Sequence, residues 1–76
     1  MQPGDLLFVS RENRIQLWHG IHPVENEAIL ILAVFGEPYA QTIVLMHDNY
    51  VIYDDAQFLQ NQIDSASLIH LKFKEL

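Results

Sequence analysis

Thr42-Ile43-Val44-Leu45-Met46-His47-Asp48-Asn49-Tyr50-Val51-Ile52-Tyr53-Asp54 is the stretch on which the fold turns. Two runs of aliphatic and aromatic residues flank the pair Asp48-Asn49, and two residues is the loop length of a tight β-hairpin. Asn tolerates positive φ, so the turn closes without the Gly usually preferred. That length fixes a register in which His47 faces Tyr50, Met46 faces Val51, Leu45 faces Ile52 and Val44 faces Tyr53. Side chains then divide between a face of Val44, Met46, Val51 and Tyr53 and a face of Ile43, Leu45, His47, Tyr50 and Ile52. Both are largely apolar. One face lines a core, and the second, taken as the side of Leu45, is expected to be covered by another strand, a tail or a partner.

Upstream, Ala28-Ile29-Leu30-Ile31-Leu32-Ala33-Val34 is a continuous apolar run closed by Gly36-Glu37-Pro38, which predicts a central strand ending in a loop. His22 to Glu27 contains Pro23 and is otherwise mostly polar, so it reads as a loop. Before it, Ile15, Leu17, His19 and Ile21 alternate with Gln16, Trp18 and Gly20, which predicts a strand. Arg11 to Arg14 is a polar turn, and Leu6-Leu7-Phe8-Val9, after the turn signal Pro3-Gly4, is the first strand. Downstream, Asp54-Asp55 offers an N-cap to a short helix over Ala56 to Ile63, with Phe58, Leu59 and Ile63 near one side. Ser65-Ala66-Ser67 links it to a last strand in which Ile69, Leu71 and Phe73 alternate with His70, Lys72 and Lys74. The expectation is one mainly β domain over residues 1–76, a small five- to six-stranded barrel with one short helical turn near its C-terminus.

Half of the 76 residues are apolar and eight are aromatic, which suits a folded core. A chain this short buries only about 60% of its unfolded surface, so its stability should be modest. The absence of cysteine removes disulfides, thiolate nucleophiles and cysteine-bound zinc. The longest apolar run is far short of the roughly 20 residues of a membrane-spanning helix, and the first residues do not read as a signal peptide. An intracellular location, host cytoplasm or virion, is therefore expected, with no membrane partner.

The formal charge is -6, and no Lys or Arg stands between Arg14 and Lys72. That interval holds Glu25, Glu27, Glu37, Asp48, Asp54, Asp55 and Asp64, an acidic surface that repels phosphate and argues against direct nucleic-acid binding. It suits solubility, and it also suits a basic surface on a protein partner.

The order strand, long partly paired loop, strand, short loop, strand, tight turn, strand, helical turn, strand resembles a Src-homology-three-like small barrel. Pro3-Gly4-Asp5-Leu6 looks like the entry to the first strand of many bacterial and phage barrels of this kind. Val44 to Leu59 resembles their distal hairpin and helical turn, with Val51, Tyr53 and Leu59 spaced as an aliphatic, an aromatic and a leucine. The resemblance implies a binding edge formed by Arg11 to Glu27 and Phe35 to Gln41. Eukaryotic members grip proline-rich peptides with a tryptophan opening the third strand and with a proline and tyrosine at the helical turn. Here Thr42 stands at the first position, and Asp54 to Leu59 has neither proline nor tyrosine, so another kind of contact is implied. Free-standing barrels this short resemble those of bacteriophages, which serve as virion components or as binders of host proteins.

Catalytic and metal chemistry find little support. Pro3 to Phe8 also resembles a segment of papain-like peptidases, but there is no cysteine and no Gly-flanked serine to act as nucleophile. His19 and His22 are three apart, but Gly20 and Pro23 disfavour the helix that would aim both at one metal. Asp54-Asp55 fits helix capping better than acid-base catalysis. Asp48-Asn49 lacks the ligand pattern of a calcium loop. No enzyme activity, metal or cofactor is expected. The residues expected to contact a partner are Trp18, His19, Glu25, Glu27, Glu37, Tyr39, His47 and Tyr50. The functions that fit are a non-enzymatic protein-interaction module, a structural subunit of a virion or homo-oligomer, or an acidic mimic of nucleic acid that blocks a DNA- or RNA-binding enzyme.

Overall fold

A computed structural model of the chain describes residues 1–10, 23 and 27–75. The elements run β1 (Leu6–Val9), β2 (Ala28–Glu37), β3 (Ala40–His47), β4 (Tyr50–Asp55), α1 (Ala56–Asp64) and β5 (Leu68–Leu71), followed by a single 3-10 turn, Phe73–Glu75. The strand expected over 15–21 and its flanking loops lie outside the described residues, apart from Pro23 and Glu27.

The five strands form one antiparallel sheet in the order β4-β3-β2-β1-β5. Among the described residues β4 and β5 are its two edges and do not pair with each other, so the sheet is unclosed where a closed barrel was expected. The β3-β4 hairpin has the expected register, His47 opposite Tyr50 through Val44 opposite Tyr53. Asp48 and Asn49 both take positive φ, 47° and 68°, as a two-residue turn with the twist of its strands requires.

A second hairpin stands where a loop was expected. β2 continues to Glu37, opposite Ala40, and only Pro38 and Tyr39 make the turn. Gly36 makes this possible: its φ is +97°, and a Cβ there would lie 2.5 Å from the Ala40 carbonyl oxygen. Between Ile31 and Ala33 the register of β2 against β3 shifts, leaving Leu32 as the extra residue of a β-bulge. The bulge exchanges the faces of the strand, so Ile29 and Ile31 point inward before it and Val34 after it.

The core lies on one side of the sheet. Leu7, Val9, Ile29, Ile31, Ile43, Leu45, Ile52 and Leu68 converge there, covered by α1 through Leu59, with Phe58 and Ile63 partly buried against it. The hairpin face holding Leu45 is therefore the inner one, and the face of Val44, Met46, Val51 and Tyr53 is the outer one, the reverse of the expectation. The helix decides this, because it follows β4 directly and packs on the inner face of β3, β4 and β5.

Asp55 caps α1 by accepting a hydrogen bond from the Phe58 N–H at 2.9 Å, and Asp54 accepts from the Asp55 N–H at 2.8 Å. At the other end, Ala66 N–H donates to the Ile63 carbonyl and Ser67 N–H to the Gln62 carbonyl, a Schellman closure with Ala66 at φ 63°. The last strand also departs from expectation: Leu68 and His70 face inward, Ile69 faces out, and the strand stops at Leu71, leaving Phe73 exposed on the 3-10 turn.

Candidate functional site

Of the residues expected to contact a partner, Trp18, His19 and Glu25 lie outside the described residues. The others separate into two groups at opposite ends of β3, whose eight residues span about 24 Å at the usual rise per residue. Glu37 and Tyr39 stand at the β2-β3 turn, both exposed. Glu27, His47 and Tyr50 stand at the other end, beside the β3-β4 turn. The His47 ring is buried, its Nε2 paired with the Glu27 carboxylate, and its Nδ1 has no hydrogen-bond partner among the described residues. This imidazole ties the start of β2 to the end of β3 and presents almost no surface. Tyr50 remains exposed beside it.

A second histidine-carboxylate pair joins the two ends of the described chain. Asp5 is buried, and its carboxylate accepts three hydrogen bonds: from the Gln2 N–H at 2.9 Å, the His70 Nε2 at 2.8 Å and the Phe73 N–H at 2.8 Å. Burial alone would raise its pKa. The Phe73 amide, the His70 ring and the Gln2 amide outweigh that and lower it to about 2. Two donors converge on Oδ2 and one on Oδ1, which makes Asp5 a structural clasp. It explains why His70 points inward. The pair borders a cleft of about 400 Å³ that Lys72 and Lys74 also line.

Among the described residues the outer face of the sheet is apolar. Val51, Met46, Leu30, Leu6 and Leu71 are successive partners across all five strands, forming one continuous row on the outer face. Tyr53, Val44 and Ala33 make a second row, Phe35 joins Thr42 and Asp55 in a third, and Ile69, Phe8 and Ala28 lie beyond the first. Thr42 and Asp55 are the only polar members, and Asp55 is engaged in capping α1. Phe35 is 59% exposed, Val51 54%, Tyr53 53% and Ile69 50%, whereas Val44, in the middle of the face, is buried and Met46, Leu30, Leu6 and Leu71 are partly covered. Soluble monomers rarely show a contiguous apolar patch beyond a few hundred Å², and larger ones mark interaction sites.

The sequence pointed to the loops and to Trp18 but missed this face. Its signal was present in the two apolar faces of the 42–54 hairpin, with the inner and outer sides exchanged. Among the described residues no three His, Asp or Glu side chains gather as metal ligands, and no helix is long and apolar enough to cross a membrane. Comparison of the chain with family models, with curated proteins and with solved structures gives no match.

Proposed function

We propose that this chain is a non-enzymatic protein-interaction module that docks another protein chain on the outer face of its sheet. The single observation that carries this reading is the five-strand apolar row with Phe35, Val51, Tyr53 and Ile69 each at least half exposed around it. In this reading the two histidine-carboxylate pairs tie strands together: Asp5 joins the start of the chain to His70, and the buried His47 holds Glu27 at the start of β2. The finer architecture in this reading is a Src-homology-three-like barrel. The strand order and the bulge at Leu32, which bends β2 so that one strand can serve two halves of a curled sheet, support it. Like the free-standing phage barrels it resembles, the module would act as a virion component or as a binder of a host protein.

A photo-crosslinker at the docking face tests this. With benzoylphenylalanine in place of Tyr53, irradiation in expressing cells should give a discrete protein adduct. The same group in place of Gln60, exposed on α1, should not. Equal labelling from both positions, or none from either, would refute the assignment of the face.

A further inference from the structure

We infer that the occupant of the outer face is a second copy of this chain, forming a symmetric dimer through packed sheets; this rests on the docking face proposed above. Area is the first argument. The four most exposed apolar side chains of the face, together with the partly exposed Leu6, Phe8, Leu30, Met46 and Leu71, offer roughly 700 Å² per copy when half-exposed aromatic residues are counted at about 100 Å² each. Two copies then bury about 1,400 Å², within the range of a specific, stable interface. Among the described residues, one copy alone leaves a patch at or above the size solitary domains commonly show.

Charge is the second argument. The chain carries -6, yet the apolar rows of the outer face contain a single carboxylate, Asp55, engaged at the helix N-terminus, with Glu37 at their margin. A basic partner would be drawn to the acids elsewhere on the chain and would find little to pair with among these rows. The surface that complements an apolar sheet face poor in charge is another of the same kind, and a two-fold contact supplies it from the chain itself. Sheets stack face to face about 10 Å apart, with the two sets of side chains interleaved.

This arrangement has a salt signature opposite to that of acid-base recognition. Two copies of like charge repel at long range, so salt should strengthen their association by screening, while a complex held by carboxylates would weaken.

The test is sedimentation equilibrium of the whole chain from about 1 to 500 μM at low and high salt. The expected result is a rise from the 8.8 kDa chain mass toward twice that value, shifted to lower concentration by salt. Val51→Lys and Ile69→Lys should each raise the dissociation constant at least tenfold, even though each reduces the net negative charge. Gln60→Lys on α1 makes the same charge change and should leave it unaltered. Circular dichroism establishes that the variants fold, and Tyr53→Ser replaces either lysine variant that does not. A wild type that remains a monomer throughout, or a dimer that the face variants leave intact, would overturn the proposal. A monomer whose position 53 crosslinks a different protein would refute the second copy alone and leave the docking face standing. A monomer that crosslinks nothing there would refute both.

Discussion

Replacing Asp5 by Asn should remove about 3 kcal/mol of folding stability. The carboxylate accepts from two backbone amides and the His70 ring, all at 2.8 to 2.9 Å, at a site that is 3% exposed. An asparagine keeps one carbonyl oxygen, enough for one side of this arrangement, and turns an NH₂ group toward donors on the other. Hydrogen bonds to a charged group contribute about 1.5 to 3 kcal/mol, and a buried donor left without an acceptor costs about 1 to 3. A domain of this length has a total of only about 4 to 11 kcal/mol, so the loss should lower the melting temperature by roughly 12 to 24 °C. The pH dependence carries an independent signature. The Asp5 pKa falls from 3.8 to about 2 on folding, so the folded chain binds this proton less tightly than the unfolded one. The resulting contribution of about 2 kcal/mol is complete above pH 3.8 and lost as the pH falls toward 2. Urea unfolding followed by circular dichroism should give wild type and Asp5→Asn curves that differ most near neutral pH and converge between pH 4 and 2. A variant within 1 kcal/mol of wild type at pH 7, or a gap that does not narrow in acid, would refute the clasp.

Two further substitutions test backbone geometry. Ala66→Gly, at the φ 63° position that closes α1, should stabilise the fold by about 0.5 to 1 kcal/mol in the same urea assay, because glycine meets no penalty there. Gly36→Ala should cost at least about 2 kcal/mol, since its φ of +97° strains any side chain and its Cβ would meet the Ala40 carbonyl; a silent variant would mean that the β2-β3 hairpin is built differently.

The hairpin at residues 42–54 was legible to the residue because two constraints agree: alternating side chains set the strands, and a two-residue loop leaves one register open to them. The helix cap at Asp55 and the buried Leu59 were legible for the same reason, being local. Which hairpin face lies inside was not, since Leu45 and Val44 are equally apolar and the landing of α1 decides between them. The bulge at Leu32 is hidden because an unbroken apolar run has no alternation to interrupt. In β5 the apolar pattern gave the wrong side: Ile69 reads as a core residue and His70 as a surface one until Asp5, 65 residues away, supplies a buried partner for the imidazole. The sequence points to loops, single aromatics and one hairpin face as candidate contacts, whereas the continuous apolar rows form only when five strands are in register.

The placement of β1 between β2 and β5 bears on how the chain is made. β2, β3 and β4 are joined by two-residue turns and can zip together quickly as each emerges, since little loop entropy opposes them. β1 is synthesised before any of them yet waits for β5 to cover its other edge, with Leu6 finally opposite Leu71. Throughout that interval the nascent chain carries an open strand edge of Leu-Leu-Phe-Val, the kind of template on which chains pair wrongly. On this topology folding on the ribosome should close with the pairing of β1 and β5, two segments that the Asp5 clasp also bridges.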